Sequence, residues 1–154
     1  MIRIVPVTSQ EQISVVRELF IEYAHSLNVS LCFENLDKEV NELPGIYAPP
    51  HGALLIAEDG AKIAGCVALK KVDDLTCEMK RLYVRPEFRG KGVGKELTMS
   101  IRKKAREIGY EQMRLDTLPS MKEAIALYRS LGFIEIPPYR DLPVPGTLFM
   151  RITL

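Results

Sequence analysis

A glycine-rich segment between a predicted strand and a predicted helix constrains this chain most. Residues Arg89 to Gly94 read Arg-Gly-Lys-Gly-Val-Gly and Lys95 follows, with a strand predicted over residues 76–84 and a helix over residues 92–108. Glycines are costly at an ordinary helix start, because glycine loses more conformational entropy on folding than any other residue. They also let backbone N–H groups approach an anion, and a helix N-terminus adds a partial positive charge. The segment therefore predicts a site for a phosphate-bearing ligand.

Three known phosphate-binding patterns compete for this segment. A P-loop has four residues between its two glycines and a hydroxyl after its lysine, but three residues separate Gly90 from Gly94 and Glu96 takes the place of the hydroxyl. A dinucleotide-binding fingerprint that starts at Gly90 requires a glycine where this chain has Lys95. The third pattern, Arg/Gln-x-x-Gly-x-Gly/Ala, is met from Arg89 onward. The segment therefore fits the third pattern and departs from the other two.

Length and composition predict one folded domain over residues 1–154. Apolar residues make up 47% of the chain, which is enough to bury a core. Lys and Arg total 21 and Asp and Glu total 20, so a surface built for nucleic acid is not predicted. The apolar runs are shorter than the roughly 20 residues of a membrane span, and the N-terminus lacks a signal-peptide pattern. We therefore expect a cytoplasmic protein with no membrane or nucleic-acid partner.

The cysteines and histidines provide no framework of disulfides or metal ligands. Cys32, Cys66 and Cys77 are scattered and odd in number, which is typical of reduced, mostly buried thiols. His25 and His51 are the only histidines and lie far apart in sequence, so no metal site is predicted.

Hydrophobic periodicity and chain-breaking residues predict a mixed α/β fold. Ser9 begins a capping box before a long helix, and Asp59-Gly60 between two apolar runs predicts a hairpin. Pro119 predicts the start of a later helix and Gly132 its end. The predicted order is β-α-(α)-β-β-β-α-β-α-β-β. Hairpins followed by strand–helix–strand units are typical of a mixed sheet with helices on its faces.

Two blocks of the sequence resemble the motifs of one enzyme family. Residues 78–94, EMKRLYVRPEFRGKGVG, are similar to the central motif of the GNAT N-acetyltransferases. Residues 124–133, AIALYRSLGF, resemble the later motif of that family. Two blocks in the right order are more specific than either alone. The resemblance implies the GNAT fold, with six to seven strands, about four helices and a sheet that splays beside the acyl-CoA. It also implies transfer of an acetyl group from acetyl-CoA to an amine.

The resemblance also implies which residues hold acetyl-CoA, the acyl-donor substrate. Leu82 and Val84 would bond the pantetheine arm through backbone groups, with Tyr83 between them. Backbone N–H groups of the glycine-rich segment would hold the pyrophosphate, and no metal is implied. The residues of that segment are Arg89, Gly90, Lys91, Gly92, Val93, Gly94 and Lys95.

Acetyl transfer needs a base for the amine, a donor to the oxyanion and an acid for the departing thiolate. By the resemblance, Glu78 is the candidate base, Tyr128 is the candidate acid, and a backbone N–H near Val84 meets the oxyanion. From the residues alone, Glu78 also fits a solvated strand end, and Tyr128 also fits the apolar stripe of its helix. Many relatives have asparagine where this chain has Met121, and Thr117 is a candidate substitute for that side chain.

The motifs leave the acceptor amine open. The family usually builds its acceptor site from the first helix, the loop after it and the last hairpin, which implies residues 20–50 and 139–146 here. Tyr47 and Tyr139 would line a pocket there or pack under proline-rich loops. Such loops can roof a closed pocket, so we expect a small-molecule amine rather than a peptide or a lysine side chain. The acidic residues that would attract a cationic amine, or form ordinary surface, are Glu22, Glu34, Asp37, Glu39 and Glu42.

Other functions stay open at this point. A non-catalytic acyl-CoA sensor would need only the glycine-rich segment, so the presence of Glu78 and Tyr128 favours an enzyme. A protein or peptide N-acetyltransferase would differ only in its acceptor. RNA binding by the basic side chains of residues 102–106 is disfavoured, because no aromatic residues alternate with them. Dimers are common in the family, which makes a homodimer a further expectation.

Overall fold

The computed structural model describes residues 1–27, 36–142 and 144–154. Predictions for Cys32 and Glu34 fall outside these ranges. The described residues confirm the mixed α/β fold, and none of their helices has the length and apolar character of a membrane span. They form β1 (Ile2–Pro6), α1 (Gln10–Leu27), α2 (Leu36–Asn41), β2 (Ala53–Asp59), β3 (Lys62–Lys71), β4 (Thr76–Val84), α3 (Val93–Ile108), β5 (Gln112–Thr117), α4 (Lys122–Ser130), β6 (Ile134–Ile136) and β7 (Leu148–Thr153).

Local signals produced the elements that the sequence predicts best. The capping box is present, because the Gln12 N–H donates to Ser9 Oγ and the Ser9 N–H donates to Gln12 Oε1, both at 3.1 Å. The Asp59-Gly60 hairpin joins β2 to β3, with Gly60 at a φ of +62°. Cys66 and Cys77 are buried free thiols, as predicted.

The seven strands form one mixed sheet in the order β1-β2-β3-β4-β5-β7-β6. Apolar residues of α1 and α2 pack on one face and those of α3 on the other. Among the described pairs only β4 and β5 run parallel, and they pair at just three positions, 76–78 with 112–114. Beyond Glu78 and Arg114 these strands have no further pairs and separate. The edge of β4 that faces β5 is therefore open over residues 79–84.

One predicted boundary is wrong, because Pro119 does not open α4. The helix begins at Lys122, with Met121 as its N-cap. A turn precedes it, closed by the Met121 N–H donating to the Leu118 carbonyl at 3.0 Å. Proline suits the second position of such a turn as well as the first position of a helix, so the sequence pattern does not separate the two.

A β-bulge interrupts β4 in the middle of the cofactor-binding motif. The register passes from Cys66↔Tyr83 to Ala68↔Lys80, so β4 carries one extra residue there. Within the bulge, Arg81 adopts a left-handed φ of +59°, which is uncommon for a residue with a Cβ. Close approach across the strands accompanies the bulge, since a Cβ on Gly65 would lie 2.2 Å from the Tyr83 carbonyl oxygen.

A buried ion pair anchors the bulge to α2. Arg81 Nε and Nη2 donate to the two carboxylate oxygens of Glu39 at 2.9 and 3.0 Å. Tyr47 donates its hydroxyl to the same carboxylate at 2.9 Å. The side chains of Arg81 and Glu39 are 14% and 15% exposed. This bidentate pair ties the backbone of the bulge at Arg81 to α2 at Glu39.

Candidate active site

Two adjoining clefts open where β4 and β5 separate. The outer cleft, of about 630 Å³, lies between α1, the end of β4, the glycine-rich segment and the start of α4. The inner cleft, of about 110 Å³, lies deeper between β4, β5 and the segment after β6. The two share the lining residues Tyr23, Leu27, Leu82 and Met121, so they adjoin, and the two clefts together are called the channel.

Most of the residues predicted to hold the donor lie at the outer cleft. Six of the ten line it, and they are Leu82, Tyr83, Val84, Arg89, Gly90 and Gly94. Val93 is buried in the core, which leaves only its backbone available. Lys91 and Lys95 are exposed, and the Lys91 ammonium lies 5.6 Å from the centre of the Phe88 ring.

The start of α3 presents backbone N–H groups without a side-chain cap. Gly90 and Gly92 both have a φ of +79°, and Gly92 is the N-cap residue and makes no side-chain capping bond. The intrahelical ladder begins with the Glu96 N–H donating to the Gly92 carbonyl at 3.0 Å. The N–H groups of the first turn have no carbonyl partner within a helix, so this end of α3 suits an anion.

Arg89 links the glycine-rich segment to the end of β4. Its Nε donates to the Val84 carbonyl at 3.0 Å, while the side chain as a whole stays exposed at the cleft. This bond holds the guanidinium beside the N-terminus of α3. The local field there is positive, which again favours an anionic ligand.

Glu78 lies behind the inner cleft, fully buried in a cluster of cations. Its Oε1 accepts hydrogen bonds from Arg114 Nε, at 3.1 Å, and from Arg140 Nη2. Its Oε2 lies 3.3 Å from the ammonium of Lys80. Glu78 is 0% exposed and is absent from the lining of both clefts. The Glu78 carboxylate therefore contacts three cationic side chains from beneath the floor of the inner cleft.

The pKa of Glu78 has opposing causes. Burial raises it, but Lys80, Arg140 and Lys70 together bring it below the ordinary value. The carboxylate is therefore ionised at neutral pH. Its ionised form stabilises the fold above the ordinary carboxyl pKa, and this contribution is lost as the pH falls through the lowered value. A base is most effective when its pKa lies near the working pH, so the lowered value weakens Glu78 as a base. Its catalytic role stays a prediction.

Asp116 is a functional candidate that sequence reasoning missed. It lies on β5 two residues beyond the last pair with β4, and it lines the inner cleft. Its Oδ2 is buried without a hydrogen-bond partner and lies 3.9 Å from Arg140 Nη1. In the sequence, Asp116 is only a carboxylate near the end of a predicted strand. It lines a cleft because β5 no longer pairs with β4 at that point.

Lys80 lies opposite Asp116 on the other wall of the inner cleft. Its side chain is 15% exposed. Burial lowers the pKa of Lys80 below its ordinary value, although Asp116 and Glu78 act to raise it. The loss of solvent around this ammonium therefore outweighs the attraction of the two carboxylates.

Tyr128 extends from α4 into the inner cleft. The residue is 4% exposed, and its ring packs 5.6 Å from that of Phe133. Burial raises the pKa of Tyr128, and the nearby Tyr23 and Asp116 act in the same direction. The hydroxyl is therefore protonated at neutral pH, as a general acid requires.

Met121 lies at the junction of the two clefts. Its sulfur is 3.8 Å from the Tyr23 hydroxyl and 3.9 Å from Thr117 Oγ1. Thr117 lines the inner cleft, whereas Met121 lines both. A flexible, polarisable thioether therefore occupies the position for which the resemblance implies an asparagine.

The two tyrosines considered for the acceptor pocket line neither cleft. Tyr47 is 1% exposed and packs edge-on against Phe20. Tyr139 lies beneath Arg114, whose guanidinium is 3.9 Å from the ring centre. Tyr47 therefore packs in the interior, and Tyr139 is half-buried beneath an arginine. Arg140, from the same predicted segment as Tyr139, lines the inner cleft instead.

Two of the acidic residues considered for the acceptor are already paired. Glu22 accepts hydrogen bonds from Arg85 at 2.7 and 3.1 Å, and Glu39 accepts those of Arg81. Asp37 and Glu42 are exposed on the surface of α2 and just after it. Negative charge at the inner cleft comes instead from Glu78 and Asp116.

Comparison with known proteins agrees with this geometry. Residues 16–133 match the model of the acetyltransferase (GNAT) family. An uncharacterised N-acetyltransferase of Schizosaccharomyces pombe is 41% identical over 135 residues, which cover 86% of this chain and 83% of that relative. One from Escherichia coli is 33% identical over 125 residues, covering 79% and 74%.

A solved structure shows the same fold. PaiA N-acetyltransferase from Thermoplasma acidophilum, in complex with coenzyme A, has a TM-score of 0.77 to this chain at 21% identity. The match covers 100% of this chain and 99% of that one. The family match, the relatives and the cleft at the splayed strands together establish that the chain belongs to the acetyltransferase (GNAT) family and is an acyltransferase.

Proposed function

We propose that this enzyme transfers the acetyl group of acetyl-CoA to a primary amine of a small molecule, by direct attack in a ternary complex. One observation carries the proposal. A channel runs from the uncapped N-terminus of α3 to an inner cleft that holds Tyr128 and Asp116. The first end suits a pyrophosphate, and the second holds groups that can move protons.

The outer cleft fits a long, phosphate-bearing donor. The open edge of β4 over residues 79–84 offers backbone groups to an extended arm, in the way a neighbouring strand would. The glycine-rich segment lies at the far end of that edge. The Thermoplasma protein of the same fold was solved with coenzyme A, which supports the same donor class here.

The inner cleft supports a small acceptor. Its volume is about 110 Å³, and Leu118 and Leu142 lie among its walls. The amine would attack the thioester carbon, the C–S bond would break, and the thiolate would take a proton. Tyr128 is placed to supply that proton. The proton lost by the amine passes to a carboxylate, for which Asp116 and Glu78 are the candidates.

Arg89→Ala is expected to weaken acetyl-CoA binding about tenfold to a hundredfold, because one charge-assisted hydrogen bond to a ligand is worth roughly 1.5–3 kcal/mol. Isothermal titration calorimetry with acetyl-CoA measures the change. Arg129→Ala is the matched control, since that arginine is exposed and lies on α4 away from the clefts. Equal affinities in wild type and Arg89→Ala would contradict the assignment of this segment to the donor.

Asp116→Asn and Glu78→Gln separate the two candidate bases. We expect the larger loss of kcat, at least tenfold, in Asp116→Asn, because Asp116 lines the inner cleft and Glu78 does not. Release of coenzyme A with a panel of amines, amino acids and peptides measures kcat, and calorimetry checks that acetyl-CoA still binds. A larger loss in Glu78→Gln, with the melting temperature unchanged, would assign proton transfer to Glu78.

The same panel distinguishes an enzyme from a sensor. Amine-dependent release of coenzyme A supports the proposed function. Tight acetyl-CoA binding without release on any acceptor would support the non-catalytic alternative. Release of coenzyme A with peptides alone would mean that the acceptor is a protein or a peptide.

A further inference from the structure

We propose that the acceptor carries a carboxylate close to its reacting amine, and that Arg140 and Lys80 bind this carboxylate. The acceptor class is therefore an amino acid or a close analogue of one. This inference rests on the proposed function, because it names the acceptor of the same site.

The charge balance at the floor of the inner cleft is positive. Three cations, Lys80, Arg114 and Arg140, meet two carboxylates, Glu78 and Asp116. The cationic side chains are only 15%, 25% and 30% exposed. Lys70 adds positive charge from the far side of Glu78, and Arg81 is matched by Glu39. A surplus of half-buried positive charge favours the binding of an anion that compensates it.

Lys80 and Arg140 have hydrogen-bond donors available to a ligand in the inner cleft. Glu78 already accepts two guanidinium hydrogen bonds on Oε1 and faces Lys80 with Oε2. An ammonium has three donors and a guanidinium five, so Lys80 and Arg140 have more donors than their contacts with Glu78 can use. Both line the inner cleft, whereas Arg114 does not. Glu78 is thus a positioning residue for the two cations that a substrate carboxylate would meet.

Asp116 offers the complementary partner for the amine. Its buried Oδ2 lacks a hydrogen-bond donor, and an ammonium or amine would supply one. Asp116 Oδ2 and Arg140 Nη1 are 3.9 Å apart. Groups bound to these two atoms must therefore be close neighbours in the acceptor, as the amine and carboxylate of an amino acid are. A long polyamine lacks the anion that this arrangement needs.

Apolar residues form part of the inner cleft and would receive a side chain of the acceptor. These residues come from three elements, the turn after β5 and the segment after β6, namely Leu27, Met79, Leu115, Leu118 and Leu142. Apolar walls favour an apolar group on the acceptor. Leucine and its analogues are therefore suitable probes, with smaller and aromatic amino acids tested beside them.

The first test compares acceptors that differ only in the carboxylate. Release of coenzyme A would be measured for wild type with leucine, with leucinamide and with 3-methylbutylamine, and with the same three forms of alanine and phenylalanine. We expect at least one amino acid to exceed its decarboxylated amine about tenfold to a hundredfold in kcat/KM, since a charge-assisted contact is lost. Decarboxylated amines that react as well as every amino acid would overturn this inference while leaving the proposed function in place.

The second test asks whether Lys80 and Arg140 cause the preference for the carboxylate. Lys80→Met should raise KM for the amino acid at least tenfold, with acetyl-CoA affinity unchanged and little change for the decarboxylated amine. Lys104→Met is the matched control on the exposed face of α3. Arg140→Met should act in the same direction, and Arg140→Lys should restore part of the loss. A fall in kcat/KM that is equal for both acceptors would overturn the assignment.

The two proposals fail in different ways. No release of coenzyme A with any amine would overturn the proposed function and this inference with it. Turnover of plain amines, with no preference for the carboxylate, would overturn only the inference. Thermal unfolding of each variant shows whether a loss comes from the fold.

Discussion

Tyr128→Phe is expected to lower kcat about 10²–10⁴-fold, the usual contribution of a positioned general acid. The substitution removes only the hydroxyl, whose raised pKa keeps it protonated until the thiolate leaves. The ring contact with Phe133 and the burial of the residue are retained, so the fold should persist. Steady-state release of coenzyme A at saturating acetyl-CoA measures the loss, and calorimetry should show unchanged binding of the donor.

Tyr110→Phe is the matched control for that experiment. Tyr110 is also buried, but its hydroxyl donates to the His51 carbonyl at 2.7 Å and the residue lines neither cleft. It should lose about 1 kcal/mol of stability and keep its kcat. A kcat for Tyr128→Phe within twofold of wild type would remove Tyr128 from the mechanism and assign protonation of the thiolate to water or to another group.

Glu39→Ala is expected to destabilise the protein by about 3–5 kcal/mol, the range measured when one partner of a buried ion pair is removed. The change leaves the buried guanidinium of Arg81 without the carboxylate that accepts two of its hydrogen bonds, and it removes the acceptor of the Tyr47 hydroxyl. Equilibrium unfolding in urea measures the free energy of unfolding. Glu42→Ala is the control, because Glu42 is exposed just beyond the same helix.

A second variant keeps that prediction testable if Glu39→Ala unfolds. The double variant Glu39→Leu with Arg81→Met replaces both charges by apolar groups and should recover much of the lost stability, because neither charge is then buried alone. A loss below about 1 kcal/mol in Glu39→Ala would mean that the pair behaves like an exposed salt bridge and does not anchor the bulge.

Local chemistry explains which elements the sequence predicts. The strand over residues 76–84 and the helix up to Ile108 are found where they were predicted, because alternation, periodicity and the terminal Gly109 act within a few residues. The capping box at Ser9 is equally local. Pro119 shows the limit of such signals, since the same residue suits a turn and a helix start.

The floor of the inner cleft could not be predicted because it depends on register. Asp116 faces a cleft only because β5 stops pairing with β4 two residues earlier. Arg140 reaches Glu78 across 62 residues of sequence. Arginine and lysine are mostly found on the surface, so a cluster of three half-buried cations has no signature in one sequence. The residues predicted for the donor mostly reach one cleft because they are near neighbours in sequence.

The open edge of β4 could also promote aggregation, and the fold prevents this. An exposed run of unpaired backbone groups can recruit a strand from another copy of the chain and begin aggregation. Here that run lies at the bottom of a cleft, between α1 and α4, where a second sheet cannot approach. The elements that line the two clefts therefore also protect the enzyme from edge-to-edge association.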